Sequence, residues 1–248
     1  MRKRFMSWVL TAAMLLSVLG GFPLLAAAYP VSVCQVGETG YATFGEALTA
    51  AGDGDTITLL ADIYYYGDIV LINTNLNIDL GTYYLSIGTD DSDGALTVDG
   101  GALTIDDADG GKLLIQRGKV GLKAVNGGSA DVSGVVDVDN EGVEAEGGST
   151  ITVKGDITTD TGGAMNVESG ASVHVTGDID CYLAVMVRGS GSSAVIDGSV
   201  TGHAPFRPAT LYVDDGASVA VGGDVHGVDG GVYCAGGSSA IIKGDVTS

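Results

Sequence analysis

The chain has 248 residues, of which 41 are Gly, and it carries 31 Asp and Glu against 11 Lys and Arg. Its formal net charge of −20 excludes a nucleic-acid-binding protein, because no basic face can be assembled against phosphates. A hydrophobic content of 45% excludes an acidic disordered chain, and only 4 Pro exclude collagen. These numbers leave a Gly-rich, acidic, mainly β protein.

Residues 1–28 have the features of a secretory signal peptide. Three basic residues at positions 2–4 precede an apolar run over 8–25, and three alanines at positions 26–28 form a small-residue cleavage site. Two glycines and a proline interrupt the apolar run, which favours cleavage over a membrane span. We therefore expect a secreted or cell-surface protein with no membrane span after cleavage, and a single domain over residues 29–248.

The first predicted element of that domain is a short helix over residues 43–52, at the N-terminal end of the fold. Thr43 and Glu46 match a capping box, apolar residues then recur at helical spacing, and Gly52 follows as a C-terminal stop. After Gly54 apolar and polar residues alternate, which is typical of strands with one buried face.

A repeat of about 21 residues is the strongest pattern in the chain. A Gly followed by Asp, Ser or Val and then by Val or Ile occurs at Gly134, Gly155, Gly177, Gly198, Gly223 and Gly244. In every copy the residues two after, two before and four before this Gly are apolar, and a second short strand precedes them. One such coil cannot bury its own apolar side chains, whereas stacked coils bury them in columns.

The repeat therefore predicts an all-β protein, a right-handed parallel β-helix with two strands in each coil. Its first coils, over 55–127, are expected to be irregular, and those over 128–248 regular. A β-sandwich is the alternative, but it does not explain why residue types match from coil to coil. Cys234 stands in an inward column and is predicted to be a buried thiol, and the Asp residues after the repeat glycines are expected to bond amides within their own turns.

Three segments carry a resemblance to a known family. They are Tyr41–Leu48 (YATFGEAL), Gly54–Leu59 (GDTITL) and Leu76–Gly81 (LNIDLG), and Gly-rich coils follow them. This order is similar to the N-terminal part of pectate-lyase-like right-handed β-helix proteins, especially repeat-rich proteins exported to the surface of Gram-positive bacteria. The resemblance covers about residues 34–248. It implies a structural or adhesive role, in which the surface binds a carbohydrate or a host or cell-surface protein.

A polysaccharide lyase or glycoside hydrolase of the same fold is the alternative function. The hydrolase motifs of the resembled family have only partial counterparts, at residues 73–75, 106–107, 117–119 and 202–204. These fragments are incomplete and out of order, and chain order in a solenoid is spatial order along its axis. We therefore predict no catalytic residue.

A run of seven Asp between residues 90 and 109 is a candidate calcium site. Calcium prefers clustered carboxylate oxygens, but the spacing does not match a twelve-residue calcium loop, and solvated turns with local Asx bonds are the favoured interpretation. The candidate ligands are Asp90, Asp91, Asp93, Asp106, Asp107 and Asp109. No other cofactor is predicted.

Two segments are candidate ligand-binding sites. Tyr64, Tyr65 and Tyr66 could form a sugar-stacking patch together with Tyr83 and Tyr84, or could pack under a loop.

The second segment is the long coil between Gly198 and Gly223, which carries about four extra residues. They are predicted to form an outward loop with His203, Phe206 and Arg207, and such loops often hold function. A tolerated insertion without function is the other interpretation.

The chain stops four residues after Gly244, within a repeat unit. An open coil presents unpaired backbone groups and an apolar cross-section. We expect either a longer natural protein or self-association through this last coil.

Overall fold

The computed structural model describes residues 31–90, 93–205 and 209–248, and residues 32–248 form one unit. The predicted signal peptide lies outside the described residues. Within the described part, no helix is both long and apolar enough to cross a membrane.

The chain winds into a parallel β-solenoid of about nine coils, each of about 22 residues. The stacked-coil, all-β fold predicted from the repeat is confirmed, and the β-sandwich alternative is wrong. Each regular coil contributes three strands to three parallel faces, where the sequence predicted two. The third strand was missed because it is only two to four residues long and shows little alternation.

Face A begins with two antiparallel strands, β1 (Cys34–Val36) and β2 (Thr39–Tyr41), and β1 pairs with β3 (Asp55–Leu59). It continues in parallel through the second halves of β5 (Ile69–Asp79) and β7 (Leu96–Asp106). The later strands of face A are β10 (Ser129–Ser133), β13 (Thr150–Lys154), β16 (Ser172–Val175), β19 (Ser193–Ile196), β22 (Ser218–Val221) and β25 (Ser239–Ile242).

Face B starts with the first halves of the same two long strands, β5 and β7, which turn the corner without interruption. Its later strands are β9 (Val120–Val125), β12 (Glu141–Ala145), β15 (Met165–Val167), β18 (Val185–Arg188), β21 (Leu211–Asp214) and β24 (Val232–Cys234). Face C is a separate sheet of nine strands. They are β4 (Ile63–Tyr66), β6 (Tyr84–Gly88), β8 (Lys112–Gln116), β11 (Val135–Val138), β14 (Ile157–Thr159), β17 (Ile179–Cys181), β20 (Val200–Gly202), β23 (Val225–Gly227) and β26 (Val246–Thr247).

The core consists of aliphatic columns that run along the solenoid axis. On face A, the predicted column Val132, Val153, Val175, Ile196 and Val221 is in direct register and buried throughout. Each such side chain contributes about 1.5–3 kcal/mol when a neighbouring coil covers it. Stacking, more than any contact within one coil, therefore holds the fold together.

The columns lose their cover at the last coil. Cys234 pairs in register with buried Val213 but is exposed, because β24 is the last described strand of face B and no further coil covers it. The prediction that Cys234 is buried is therefore wrong. In the same coil Val246 is exposed, whereas its partner Val225 is buried, and Ile242 is only half-buried. Self-association through this coil stays a prediction.

The single described helix, α1 (Phe44–Ala50), closes the N-terminal end of the core, as predicted within two residues at its C-terminus. The Thr43 hydroxyl accepts a hydrogen bond from the Glu46 amide at 3.2 Å, and the Glu46 carboxylate accepts one from the Thr43 amide at 3.1 Å. This confirms the capping box. Phe44 and Ala47 are buried against the first coil.

Two kinds of glycine corner separate the faces. Between faces B and A the chain turns through left-handed residues, such as Ser169 (φ 56°) and Gly170 (φ 78°). Between faces A and C stand the repeat glycines. A Cβ on Gly177 would lie 2.1 Å from Asp156 Oδ1 and 2.5 Å from the Gly155 carbonyl oxygen. The coils are thus in direct backbone contact at this corner.

The residues after the repeat glycines join neighbouring coils. Asp156 Oδ1 accepts a hydrogen bond from the Asp178 amide at 2.8 Å, and Asp178 Oδ1 accepts one from the Ser199 amide at 2.7 Å. In the next coils Ser199 Oγ accepts a bond from the Asp224 amide at 3.1 Å, and Asp224 Oδ1 accepts one from the Asp245 amide at 2.8 Å. We call these five residues the aspartate ladder. The expected bonds within one turn are therefore replaced by bonds to the next coil.

Candidate functional site

The three consecutive tyrosines of β4 divide between the interior and the surface. Tyr64 and Tyr66 point outward from face C and are 76% and 66% exposed. Tyr65 points toward α1, and its ring meets Phe44 edge-on with centroids 5.3 Å apart. Burial and the nearby Asp68 charge raise the pKa of the Tyr65 phenol. Tyr65 is therefore part of the packing under the helix, whereas its two neighbours are on the outer surface.

Tyr84, in the next strand of face C, is half-buried and packs beside Tyr64. Its ring centroid lies 5.4 Å from that of Tyr64. The Tyr66 hydroxyl donates to the Asp90 carboxylate, which also contacts Arg117 Nη1 at 3.4 Å. We call Tyr64, Tyr66 and Tyr84 the tyrosine patch. Asp90 holds its Tyr66 end.

A groove of about 500 Å³ lies along the corner between faces A and C and shares Tyr84 with the tyrosine patch. Its lining includes Tyr84, Asp107, Lys112, Leu114, Val135, Lys154 and Asp156. The register explains this gathering, because Tyr84 pairs with Lys112 and Leu114 pairs with Val135 in successive coils. Outward side chains of residues that are register partners in neighbouring strands are therefore about 4.8 Å apart. Sequence reasoning missed Lys112 and Lys154, since nothing in either segment marks them as neighbours.

Lys112 is the basic residue of this groove that is open to a ligand. Most described Lys and Arg side chains are engaged in ion pairs, and Lys154 Nζ lies 2.8 Å from Asp131 Oδ1. The hydrogen bond with Asp131 raises the pKa of Lys154. Lys112 is exposed and forms no ion pair with another described residue. The groove therefore offers one free ammonium beside an aromatic ring and two carboxylates.

The predicted insertion loop lies far from the tyrosine patch. His203 follows β20, is exposed and contacts the Asp180 carboxylate of the preceding coil. Phe206 and Arg207 lie outside the described residues. Six strand spacings separate β20 from β4 in face C, roughly 29 Å. The structure therefore does not bring His203 together with the tyrosines.

The candidate calcium ligands fall into two separate groups. Asp90 and Asp93 precede β7 and contact Arg117 and Lys119, both at 3.4 Å. The other group is at the far end of the same eleven-residue strand, where Asp106 is the last residue and Asp107 and Asp109 follow it. Asp91 lies outside the described residues. In the described chain, no three His, Cys, Asp or Glu side chains are grouped so that they could hold a metal ion. Calcium binding stays a prediction.

The outer surface of face B carries charged and aromatic contacts that the sequence analysis did not single out. Lys123 Nζ lies 3.0 Å from Glu144 Oε1, and burial, together with the charge of Glu144, raises the pKa of Glu141 to about 7. Further along, the rings of Tyr212 and Tyr233 stack with centroids 4.7 Å apart. These residues occupy outward positions of the repeat, whereas the search for columns followed inward ones.

The remaining chemical candidates do not converge on one site. All three cysteines are free thiols, and burial raises the pKa of Cys181 to about 12, which makes it a poor nucleophile at neutral pH. The fragments of hydrolase motifs lie apart, with Asp106 at the end of β7 and Arg117 just after β8. His203 lies several coils further on.

Comparisons with protein-family models, curated proteins and solved structures give no significant match. The fold is established by the strand pairing itself. Function is therefore inferred from the chemistry of the outer faces.

Proposed function

We propose that the chain is an exported, pectate-lyase-like right-handed β-helix of the kind found on the surface of Gram-positive bacteria. Its proposed role is adhesive, by binding an extended carbohydrate along face C. The observation that carries this proposal is the tyrosine patch, because Tyr84 both packs beside Tyr64 and lines the groove. The basic and apolar start of the sequence supports export.

The surface chemistry suits a sugar chain. Aromatic rings provide flat apolar surfaces with a polar edge, and Tyr64 and Tyr66 are too exposed to serve the core. Leu114 and Val135 add apolar surface on the floor of the groove, while Asp107 and Lys112 supply an acceptor and a donor for sugar hydroxyls. An exposed apolar surface rimmed by polar groups is typical of an interaction site.

The layout favours an extended ligand over a compact one. From Tyr64 in β4 to Asp156 just before β14, the site crosses four strand spacings, about 19 Å. The site follows the solenoid axis, so that each coil presents one or two side chains to successive units of the ligand.

A glycan array followed by calorimetric titration tests the proposal. We expect Tyr64→Ala and Tyr84→Ala each to weaken binding of the glycan retained by the wild type roughly fivefold, the effect of one lost stacking contact. Tyr233→Ala on face B is the matched control and should bind normally. Equal binding by all four proteins, with unchanged melting temperatures, contradicts the proposal.

An enzymatic function is the second candidate, favoured by two carboxylates on face C. Asp137 and Asp180 are both exposed and are separated in register by Thr158, so that their backbones lie about 10 Å apart. This is close to the carboxylate spacing of inverting glycoside hydrolases. Bound glycans should then be shortened over time, and Asp137→Asn should abolish the products without weakening binding. If the glycan is still intact after prolonged incubation, catalysis is refuted, and the binding proposal stands independently of that result.

A further inference from the structure

The first half of β5 has one unpaired edge at the start of face B. Residues 69–72 pair with residues 96–99 of β7 and with no other described strand, whereas the second half of β5 also pairs with β3. The Ile69 amide donates to the Ala95 carbonyl at 3.0 Å. In a parallel ladder alternate residues bond to opposite sides, so that the backbone groups of Val70 and Ile72 face the free edge.

This edge lacks the features that usually protect one. Edge strands are commonly blocked by Lys, Pro or a bulge, and residues 69–72 contain none of these. Val70 and Ile72 point outward and are 51% and 61% exposed. Among the described residues only the Ile72 carbonyl has a partner, the Thr74 hydroxyl at 2.9 Å. No described residue bonds the Val70 amide and carbonyl or the Ile72 amide, which a further strand could therefore pair.

The charges around the edge are negative. Asp68 directly precedes it and is exposed, and Asp99 is the register partner of Ile72 in β7. Asp53 flanks the far side, where its carboxylate accepts a bond from the Asn75 amide at 2.8 Å. The nearest basic side chain across face B is Lys123, which is held by Glu144. A ligand of this edge therefore meets carboxylates and no free cation among the described residues.

We infer that the free edge of β5 binds an extended peptide that alternates β-branched and polar residues and carries Lys or Arg at its ends. The peptide adds a strand to face B, its backbone pairs with Val70 and Ile72, and its cationic ends meet Asp68 and Asp99. A second copy of this chain fits less well, because pairing two such edges would bring these carboxylates against one another. The inference is independent of carbohydrate binding, which uses face C.

The probe is a fluorescent seven-residue peptide with alternating Val and Thr between two terminal Lys, titrated against the protein at low and high ionic strength. We expect saturable binding that weakens with salt, and much weaker binding of the same peptide with Glu ends. Amide exchange should slow at Val70 and Ile72 when the peptide is bound.

Two variants and a control locate the site. Val70→Lys should weaken binding at least about tenfold by adding a like charge at the edge, and Ile72→Pro about fivefold by removing one amide donor. Proline is tolerated at this position because the lost amide faces solvent. Val195→Lys is the control, since it is outward on face A in a strand paired on both sides.

Three outcomes overturn the inference. They are no binding at millimolar peptide, equal binding of the Lys-ended and Glu-ended peptides, and unchanged exchange at Val70 and Ile72 in the bound state. A dimer in light scattering that Ile72→Pro disrupts would assign the edge to a second copy instead.

Discussion

Gly170 and Gly177 stand at the two ends of β16, and the chain needs each of them for a different reason. Gly170 has a φ of 78°, and a Cβ placed on it would meet nothing within 4 Å. Gly177 is not in the left-handed region, yet its Cβ would collide with Asp156 Oδ1 and with backbone atoms of Gly155. One corner therefore requires a conformation, and the other requires the absence of a side chain.

The difference lies in what each corner joins. The corner between faces B and A turns the chain within one coil, and Ser169 shows that a side chain fits there at some conformational cost. The corner between faces A and C brings consecutive coils into contact and carries the aspartate ladder. Composition alone counts both residues as Gly, although only the second kind controls how coils stack.

The largest effect is expected for Gly177→Ala. The added methyl group collides with backbone that cannot move without shifting the adjoining coil, which should cost about 3 kcal/mol of unfolding free energy. Urea unfolding measures this, and the loss of cooperativity expected of a solenoid would appear as a broadened transition. A cost below about 1 kcal/mol would mean that the coils can separate at this corner.

A double-mutant cycle sharpens the same point. Asp156→Ala removes the acceptor of the Asp178 amide and should cost about 1 kcal/mol. It also removes the nearest atom that an alanine at position 177 would meet. We expect the double variant to be about 1 kcal/mol more stable than the sum of the single effects predicts. If the two single effects on the unfolding free energy simply add, the destabilisation by Gly177→Ala comes mainly from the collision with the Gly155 backbone.

Gly170→Ala should cost about 1 kcal/mol, the usual penalty for an alanine in the left-handed region. Because no atom lies near the added methyl group, the cost should not depend on Asp156. The same urea experiment in the Asp156→Ala background checks this. If the cost of Gly170→Ala differed between the wild-type and Asp156→Ala backgrounds, the two corners would not be independent as described above.

The smallest effect is expected for Gly170→Asn, about half that of Gly170→Ala, since Asn tolerates the left-handed region better than Ala. Asn126 already adopts it at the equivalent corner of an earlier coil, with a φ of 53°. Thermal unfolding of the two variants side by side tests the order. If Asn were worse than Ala, side-chain size would matter at this corner after all.

The inward columns were predictable from the sequence, whereas the contacts between coils were only partly so. Val175 and its equivalents are apolar in every copy, and a column of matching residues has one simple explanation. Ser199 interrupts the row of Asp in the sequence, yet its hydroxyl accepts the same bond from the next coil. A sequence repeat is recognised by matching residue types, whereas the ladder needs only a side-chain acceptor oxygen at the position after the repeat glycine.

The candidate site was predictable in part for a similar reason. Adjacent tyrosines draw attention in the sequence, and Tyr64 and Tyr66 are indeed exposed, with Tyr84 packed beside Tyr64. Lys112 and Lys154 are two coils apart, and only the stacked strands place them around one groove. Cys234 shows the converse, since a residue in an inward column is buried only when another coil covers it.

Because every joint of the aspartate ladder uses the same kind of bond, a whole coil can be added or removed without changing the joints of the others. Each rung needs only an acceptor in one coil and an amide in the next, and the 25-residue step from Ser199 to Asp224 keeps the same bond as the 21-residue steps. Recombination between two copies of the Gly-Asp segment would therefore delete or duplicate a whole coil and leave every remaining joint intact. A gene of this kind can change the reach of its product in steps of about 4.8 Å, without redesigning any contact.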